Sequence, residues 1–528
     1  MDNNDKSDES IKGGRGRPRA SVSLPSPFMS CRNCGFVLEP QPQNTNISDS
    51  LISQILRGQR PLLDSDHALL NAEIVELEQL QSLYAAQLEE IRFRQCAGLK
   101  ALERRKSIYA PIRRLPRDIL IEIFDSVCDS WWQEADEIWS FPQRLHSLNL
   151  SGPLWILSRV CGIWRDILHS SPASWARKLV VQAPFSKHAP EILQTYLKLT
   201  GEHFLHLRFD CPEPIKGDTI LSLLVQSYQR WKKLRIFTIK QYMRHFESIS
   251  QFPALQAIDI FIYGYSSDYH LDVCSRAPQL WQTSLRARKL HQIKLPPSVT
   301  HFSGTIADPE DFRLLSTLPK LRRCHLWISK AKDQAPVTVA QLTHLYVDGV
   351  HILNFLSAPL LRSLTISMSS RPLSSFAQEY IIHFLHRSRC HLESLSIDNV
   401  AFPSATPCRL FALEACSTVC RLKLSLHRYM INDIVKVLAS PSVLPNLRHL
   451  ILCLSPHSVD EWTAILRMVR SRRDAGSLKL FEVQFKGDEH DCYPVEDIRA
   501  HKGDNFEMRV EKWDPPRQDH LYLVRFGR

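Results

Sequence analysis

Long hydrophobic runs are missing from this sequence. No apolar stretch approaches the roughly 18 residues that a membrane-spanning helix requires. Residues 1 to 30 also lack the apolar core of a secretory signal peptide. These absences argue against a secreted protein and against one with helical membrane spans. We therefore expect a soluble intracellular protein, located in the cytoplasm, the nucleus or both.

Recognisable catalytic motifs are missing as well. The sequence contains no Gly-rich phosphate loop, no His-Glu-x-x-His motif, no nucleophile elbow and no paired metal carboxylates. Histidine and cysteine are frequent, but residues such as Cys324, His325, His449 and Cys453 fall on repeat positions where packing or surface roles suffice. We therefore expect a protein that is not an enzyme and needs no cofactor.

Complete zinc-ligand sets are also missing. Cys31 and Cys34 have the spacing of a zinc knuckle, but structural zinc takes four ligands. No second cysteine pair and no histidine follows within the next 30 residues. The interpretation is two free thiols and no metal site. Most of the other cysteines lie singly in apolar stretches, as expected for reduced, buried thiols.

The 528 residues are too many for one ordinary hydrophobic core, and 44% apolar residues are enough to build several. The net charge of +11 is spread thinly and argues little for nucleic-acid binding. Residues 1–50 are rich in Asp, Asn, Ser, Gly and Pro, and this composition predicts a disordered tail.

One short motif in this tail suggests DNA. It matches the core of an AT-hook, in which arginines reach along the minor groove on either side of a glycine, and consists of Arg15, Gly16, Arg17, Pro18 and Arg19. The motif occurs once, and four acidic residues precede it. A solvated basic tail or a nuclear-import patch is the favoured interpretation, and DNA contact stays open as an alternative.

Residues 68–106 show heptad spacing, with steps of four and three along one seam. The seam consists of Leu70, Ile74, Leu77, Gln81, Tyr84, Leu88, Ile91, Gln95, Gly98 and Leu102. The remaining positions are mostly charged. This pattern predicts a helix that pairs with another helix. Two alternatives stay open: a homodimer through this seam, or a helix that folds back on its own domain.

From about residue 200 to residue 528, short cores of the form apolar-x-x-apolar-x-apolar recur, several of them preceded by a helix-like run. The cores are Phe204/Leu207/Phe209, Leu234/Phe237/Ile239, Leu255/Ile258/Ile260, Leu321/Cys324/Leu326, Leu342/Leu345/Val347, Leu361/Leu364/Ile366, Leu392/Leu395/Ile397, Val419/Leu422/Leu424, Leu447/Leu450/Leu452 and Leu478/Phe481/Val483. Val299 and Phe302 suggest a further strand. Such units stack into a parallel-stranded solenoid. The predicted class is therefore α/β, with a helical N-terminal part and an irregular β/α solenoid.

Residues 110–180 contain two helical segments separated by an insertion at about 129–153. The first opens with Leu115-Pro116, and the second contains Val160-Cys161-x-x-Trp164-Arg165 and is followed by Pro172 and Trp175. The pair resembles an F-box. The order of heptad helix, Leu-Pro box and drifting leucine repeats over residues 31–528 is similar to the large F-box-like family of mushroom-forming (basidiomycete) fungi, which carries degenerate leucine-rich repeats.

This resemblance implies a substrate-recruiting subunit of an SCF-type ubiquitin ligase, in which a Skp-type adaptor and a cullin scaffold are partners and other subunits transfer ubiquitin. The implied adaptor-binding residues are Leu115, Pro116, Ile119, Leu120, Ile123, Phe124, Val160, Cys161, Trp164 and Arg165. The target protein is expected on the repeats, at strand positions between the leucines: Arg235, Thr238, Arg323, His325, His344, Tyr346, Ser363, Thr365, Ser394 and Ser396. The alternative function is a chromatin-associated or scaffold protein that uses the AT-hook-like tail and the heptad helix.

Overall fold

The computed structural model describes residues 29–30, 37–38, 46–137, 146–214, 217–263, 272–286, 289–328, 335–367, 375–400, 406–426, 431–454, 459–485 and 506–512. The predicted AT-hook residues Arg15 to Arg19 and the pair Cys31/Cys34 lie outside the described residues, as does most of the predicted tail. The chain divides into two compact units, residues 1–114 and 115–528.

The first unit is dominated by one long helix. Met29–Ser30 and Val37–Leu38 form a short antiparallel pair, followed by helices α1 (Asn46–Leu56) and α2 (Asp64–Ile108) and a 3-10 segment at Pro111–Arg114. With 45 residues, α2 is about 67 Å long. Its first turn is acidic and its last turn is basic, which suits the helix dipole at both ends.

The second unit begins with four helices, α3 (Arg117–Glu137), α4 (Pro153–Val160), α5 (Gly162–His169) and α6 (Pro172–Ala176). Proline opens both α4 and α6, where its fixed φ suits the first helical turn and its missing N–H is no loss. The helices pack through aromatic rings: those of Phe124 on α3 and Trp164 on α5 lie 4.9 Å apart.

The rest of this unit is built on a fourteen-stranded sheet in which every neighbouring pair is parallel and the strands follow one another in chain order. The strands are β1 (Leu179–Gln182), β2 (Leu205–Cys211), β3 (Trp231–Ile239), β4 (Ala257–Tyr263), β5 (Gln282–Arg286), β6 (His301–Ile306), β7 (Arg323–Ile328), β8 (His344–Asp348), β9 (Ser363–Ser367), β10 (Ser394–Val400), β11 (Arg421–Leu426), β12 (His449–Leu454), β13 (Leu480–Phe485) and β14 (Glu507–Lys512). Val337–Thr338 and Leu356–Ser357 form a separate short parallel pair.

The strand register stacks apolar side chains into continuous rows on one face of the sheet. Leu345, Leu364 and Leu395 lie opposite one another on β8, β9 and β10, and each is buried. Because side chains alternate between faces, the residues between them lie on the other face, which carries no comparable apolar row. We call the two sides the packed face and the open face.

Parallel strands need crossover connections, and here these contain helices and 3-10 turns. The helices are α7 (Ala189–Leu199), α8 (Thr219–Val225), α9 (Lys240–Glu247), α10 (Phe312–Ser316), α11 (Ser375–Ser388), α12 (Thr406–Phe411), α13 (Ile431–Ala439) and α14 (Val459–Asp474), and the 3-10 turns are Tyr228–Arg230, Cys274–Arg276, Leu290–Gln292, Pro309–Asp311, Val350–Phe355 and Glu414–Cys416. Ring contacts of Phe246 with Phe209 and Trp231 place α9 against the packed face.

The predicted α/β class, with an N-terminal helix and a many-stranded parallel sheet, is confirmed at this level. Two details differ. The sheet already begins at Leu179, before the predicted start at residue 200. On β3 the buried apolar residues are Trp231, Leu234 and Ile236. The predicted frame with Phe237 and Ile239 as core residues was wrong, because apolar residues occupy both faces of this strand.

Two further differences concern one residue and one strand. Phe204, predicted as a core residue, is 59% exposed just before β2. Strand β5 was not predicted, whereas the strand suggested by Val299 and Phe302 is present as β6. In the described part of the chain, no helix combines the length and apolar composition that a bilayer span requires.

Candidate functional site

Helix α3 carries an apolar stripe that is not covered by the rest of its unit. Leu115 lies just ahead of the helix start, and Ile119, Ile123 and Val127 follow it at steps of four, which places these three on one side of the helix. Their exposed fractions are 36%, 42%, 37% and 44%. Sequence reasoning identified the first three and missed Val127, although it continues the same spacing. We call these four residues the α3 stripe.

Other residues predicted for adaptor contact have a different position. Leu120 and Phe124 are 2% and 0% exposed and lie in the core of the helical part. Phe124 packs there against Trp164, which is itself half-buried. Pro116 is exposed at the start of α3, and its carbonyl oxygen accepts a hydrogen bond from the Leu120 N–H. The structure thus divides the predicted set into exposed residues and core residues.

The second predicted segment lies at the junction of α4 and α5. Val160 is 55% exposed, and Ile156 and Ile163, which the sequence analysis did not select, are 50% and 46% exposed. Cys161 between the two helices is partly exposed and has an extended backbone. Arg165 is exposed, and its Nε donates to the Ser158 carbonyl oxygen at 3.2 Å. These two helices therefore add exposed apolar side chains to the helical part.

Hydrogen bonds and ion pairs join the helical part firmly to the sheet. The Ser147 N–H donates to the Val180 carbonyl oxygen at 2.8 Å, and the Val180 N–H donates to Ser147 Oγ at 2.9 Å. Arg177, just before β1, lies 3.0 Å from an Asp125 carboxylate oxygen and 2.6 Å from one of Asp129, both on α3. The exposed helices and the sheet are therefore parts of one packed body.

Aromatic rings reinforce the same junction. The Trp155 and Trp175 rings lie 5.1 Å apart, and the Trp175 and Tyr196 rings lie 5.2 Å apart, both edge to face. Trp175 is fully buried, and its Nε1 donates to the Leu168 carbonyl oxygen at 3.0 Å. Rings from α4, α6 and α7 thus form one buried cluster between the helical part and the first sheet helix.

The open face carries a row of aromatic and cationic side chains near the carboxyl ends of its strands. Phe237 and Phe261 stack with centroids 4.8 Å apart and planes inclined by 9°. The Arg286 guanidinium carbon lies 5.8 Å from the Phe261 ring centroid and 5.2 Å from that of Trp327. His325 follows, with its ring 4.3 Å from Trp327. Aromatic rings and arginine are side chains that protein-binding surfaces favour.

The middle of the open face is polar. Arg208 and Asp210 pair at 2.6 Å, and Arg235 and Asp259 pair at 3.3 Å. Burial raises the pKa of Asp210 above its usual range, and the neighbouring arginines oppose this effect. Farther along, the hydroxyls of Ser284 and Ser303 are buried and have no hydrogen-bond partner among the described residues.

The amino ends of the strands form a basic edge of the sheet. In a parallel sheet these ends lie along the same edge, with neighbouring strands about 4.8 Å apart. The basic edge consists of Lys178, His206, Lys232, Lys233, His301, Arg322, Arg323, His344, Arg362, Arg421, Arg448, His449 and Lys479. At the corresponding described positions of β1 to β13, the one acidic residue is Glu393, which pairs with Arg362 at 3.3 Å.

The neighbouring cations of the basic edge help to lower the pKa of its histidines. Burial, together with smaller contributions from Arg323, His344 and Arg322, lowers the pKa of His301 to about 4. Burial also lowers the pKa of His206 to about 4, with contributions from Lys233 and Lys232. These histidines are therefore neutral at neutral pH. The edge has the potential that would attract an anionic partner.

The positions predicted for target contact are only partly accessible. Thr238 is fully buried on the packed face, where its hydroxyl donates to the Cys211 carbonyl oxygen at 3.0 Å. His325 lies on the open face but is 2% exposed, with its ring 3.8 Å from that of Tyr346. The other predicted positions lie on the open face and keep some exposure: Arg235, Arg323, His344, Tyr346, Ser363, Thr365, Ser394 and Ser396.

The described residues give little support for a reactive or metal-binding site. Within those ranges, no group of three or more His, Cys, Asp or Glu side chains is placed to hold a metal ion. Burial, together with smaller contributions from Asp125 and Asp129, raises the pKa of Cys128 to about 12. Burial likewise raises the pKa of Cys416 to about 12. Thiols with such pKa values are protonated at neutral pH and are poor nucleophiles.

Comparison with known proteins assigns no family. No protein-family model matches the chain, and no curated protein matches its sequence at a significant level. The function of the chain is therefore inferred from its own residues and their geometry.

Proposed function

We propose that this chain is the substrate-recruiting, F-box-like subunit of an SCF-type ubiquitin ligase. In this proposal the α3 stripe docks on a Skp-type adaptor, which connects to a cullin scaffold. The sheet holds the target protein, and other subunits transfer ubiquitin, so the chain itself is not an enzyme. The observation that carries the proposal is the exposure of Ile119, Ile123 and Val127 on a helix whose opposite side is packed, together with that of Leu115 just before the helix.

An exposed stripe at steps of four is the form in which a helix enters an apolar groove of a partner. Leaving four large apolar side chains in water has a cost that a partner would remove, because burial is favourable by about 25 cal/mol per Å². Val160 and Ile163 on the neighbouring helices offer additional apolar area. Leu120 and Phe124 have a supporting role in this proposal, since they fix the orientation of α3 from inside.

We propose that the sheet belongs to an irregular solenoid of leucine-rich repeats. The spacing seen in Leu342, Leu345 and Val347, with the last two on β8 and all three buried, is the spacing that this repeat type requires. Repeat units of this type cannot bury their faces alone, so neighbouring units supply one another's core. The open face then remains for binding.

The charge of the basic edge suggests what kind of target the sheet takes. An Asp- and Glu-rich segment that crosses the strands at this edge would meet a Lys or Arg side chain at β1, β3, β7, β9, β11, β12 and β13. Such charge complementarity mainly raises association rate and selectivity. We therefore propose that the bound region of the target is acidic.

Adaptor binding is tested by co-purification of the full-length chain with a Skp-type adaptor. The test variant combines Leu115→Ala, Ile119→Ala and Ile123→Ala. A matched control combines Phe204→Ala and Leu360→Ala, which remove exposed apolar side chains, 59% and 52% exposed, elsewhere in the same unit. We expect the adaptor to stay with the parent and the control and to be lost from the test variant, with unchanged circular dichroism. No adaptor on the folded parent would refute the proposal.

Target binding is tested separately with an Asp/Glu-rich probe peptide. Exchange of Arg322 and Arg323 for Glu should weaken the peptide complex and leave adaptor binding intact. If the exchange affects neither, the acidic-target proposal fails while the adaptor proposal stands. The alternative of a chromatin-associated or scaffold protein predicts instead that removal of residues 1–20 abolishes retention on DNA and that the adaptor never binds.

A further inference from the structure

The heptad seam of α2 is exposed along most of the helix. Ile74, Leu77, Tyr84, Leu88 and Ile91 keep exposed fractions of 50%, 55%, 39%, 56% and 43%. These side chains repeat at the coiled-coil period, so they form one apolar strip along the helix. We expect a second helix to cover an apolar strip of this length.

The charges of α2 are divided between its two halves. Residues 64–90 contain seven acidic side chains and no Lys or Arg. Residues 91–108 contain six Lys and Arg side chains and one Glu. Two parallel copies would place acidic half against acidic half and basic half against basic half. Two antiparallel copies with Leu77 of one opposite Leu88 of the other would instead place residues 64–74, which contain three acidic side chains, beside residues 91–101 of the other copy, which contain three Lys or Arg side chains and no acidic one.

The positions that flank the seam lead to the same orientation. Counting the heptad from Ile74 as position a, Glu73 occupies position g and Glu78 position e. In a parallel pair these two carboxylates would face each other across the interface, which is unfavourable. In an antiparallel pair, g positions face g positions, and Glu73 meets Arg94 of the other copy.

The apolar seam residues fix the register of the antiparallel pair. When Leu77 faces Leu88 of the other copy, Ile74 faces Ile91. The polar seam residue Gln81 then faces Tyr84, whose hydroxyl can accept or donate a hydrogen bond. Gln95 faces Leu70, near the end of the overlap. This register pairs Leu77 with Leu88 and Ile74 with Ile91, and it gives Gln81 a hydrogen-bonding partner.

We propose that the chain forms an antiparallel homodimer through α2, with Leu77 of each copy against Leu88 of the other. The partner is a second copy because the same helix supplies both the acidic segment, residues 64–74, and the basic segment, residues 91–101, that this register pairs. This interface is independent of adaptor binding, so either property can exist without the other.

The orientation is tested by disulfide formation in the full-length chain. Cys96 is exposed and is replaced first by Cys96→Ser. Two variants in this background carry Ile74→Cys or Ile91→Cys. We expect neither variant alone to form a covalent dimer through this helix and an equimolar mixture of the two to do so. Covalent dimers of each variant alone, and none specific to the mixture, would establish the parallel orientation and overturn the proposal.

The charge pairing is tested by sedimentation of the full-length chain. Arg94→Glu should raise the dimer dissociation constant roughly tenfold, because two symmetric pairs become repulsive. Adding Glu73→Arg to the same chain should restore the affinity, since the pair is then reversed. Arg94 also pairs with Glu90 on its own helix at 2.6 Å, so Glu90→Gln is the control for that loss. A parent that sediments as a monomer at all concentrations would refute the dimer.

Discussion

The Nε of Arg472 donates a hydrogen bond to the carbonyl oxygen of Leu438 at 2.6 Å. The same guanidinium donates to the carbonyl oxygens of Leu444, at 3.1 Å, and Val443. Arg472 is fully buried on α14, and its acceptors lie at and after the end of the preceding helix, α13. The last carbonyls of a helix have no partner within the helix, and this side chain satisfies them.

The same arrangement recurs in other repeats. Arg387 donates to the carbonyl oxygens of Leu353 and Leu356, at 2.6 Å and 3.0 Å. Arg276 donates to that of Ile249 at 2.8 Å. In each case the arginine lies about one strand–helix unit after its acceptors. These side-chain-to-backbone hydrogen bonds therefore connect consecutive repeat units, in addition to the packing of the leucines.

Replacement of Arg472 by Met should lower the free energy of unfolding by roughly 3 kcal/mol, because several buried carbonyl oxygens lose their donor. Chemical denaturation followed by circular dichroism measures the change. Arg473→Met is the matched control, since Arg473 is exposed and pairs with Asp474 on the surface. We expect less than about 0.5 kcal/mol for the control. Equal effects of the two variants would contradict the capping role.

Gly304 on β6 should not tolerate a side chain. A Cβ atom at this position would lie 2.7 Å from Cζ of Phe302 and 2.9 Å from Cδ1 of Leu290, both buried. Gly304→Ala should therefore lower the free energy of unfolding by about 1–3 kcal/mol through overpacking. Thermal unfolding is the measurement. Ser303→Ala, on the opposite face of the same strand, is the control and should change stability little; a neutral Gly304→Ala would show that the space is larger than we infer.

Adjacent residues on α3 should separate stability from binding. Leu120→Ala should lower the free energy of unfolding by about 2–5 kcal/mol because it leaves a cavity in the core. Ile119→Ala should change stability by less than about 0.5 kcal/mol and weaken adaptor binding. Denaturation and adaptor titration of both variants measure the two properties. If Ile119→Ala bound the adaptor like the parent, the α3 stripe would lose its assigned role.

Acidification should destabilise the sheet through its edge histidines. The pKa of His301 is about 4 in the folded chain, below the ordinary value of 6.5, so the unfolded chain binds more protons between these values. Stability is therefore complete above pH 6.5 and falls as the pH decreases toward 4. At pH 5, His301→Gln should remove about 1 kcal/mol of this loss, with allowance for solvent screening. Denaturation at pH 7 and pH 5 tests this, and an unchanged pH dependence would contradict it.

Much of the sheet was predictable because its repeats are regular in one respect. Wherever buried leucines recur at the right spacing, as at Leu361, Leu364 and Ile366 before and on β9, the sequence identifies the strand and its packed face. Prediction failed where Thr283 takes a packed-face position on β5. It also failed on β3, where Phe237 stacks on the open face and imitates a core residue.

The candidate surfaces were less predictable. Sequence spacing identified the exposed stripe up to Ile123 but could not separate it from Leu120 and Phe124, because exposure depends on what packs against each side of α3. The adaptor function remains a prediction. The basic edge becomes visible only when the strand register places residues such as His206 and Lys233 side by side, although they are far apart in the sequence. The capping arginines likewise meet acceptors about 30 residues away, without a local signal.

The buried rings of Trp175 and Tyr196, packed with the half-buried ring of Trp155, leave no flexible linker between the exposed helices and the sheet. In a ligase of the proposed kind, a receptor without such a linker cannot move a bound protein relative to the catalytic subunits and so cannot bring different lysines into reach. The distance between the bound target and the catalytic subunits would therefore be fixed by the fold of the chain. Two targets with the same acidic segment would then be modified differently if their lysines lie at different distances from that segment.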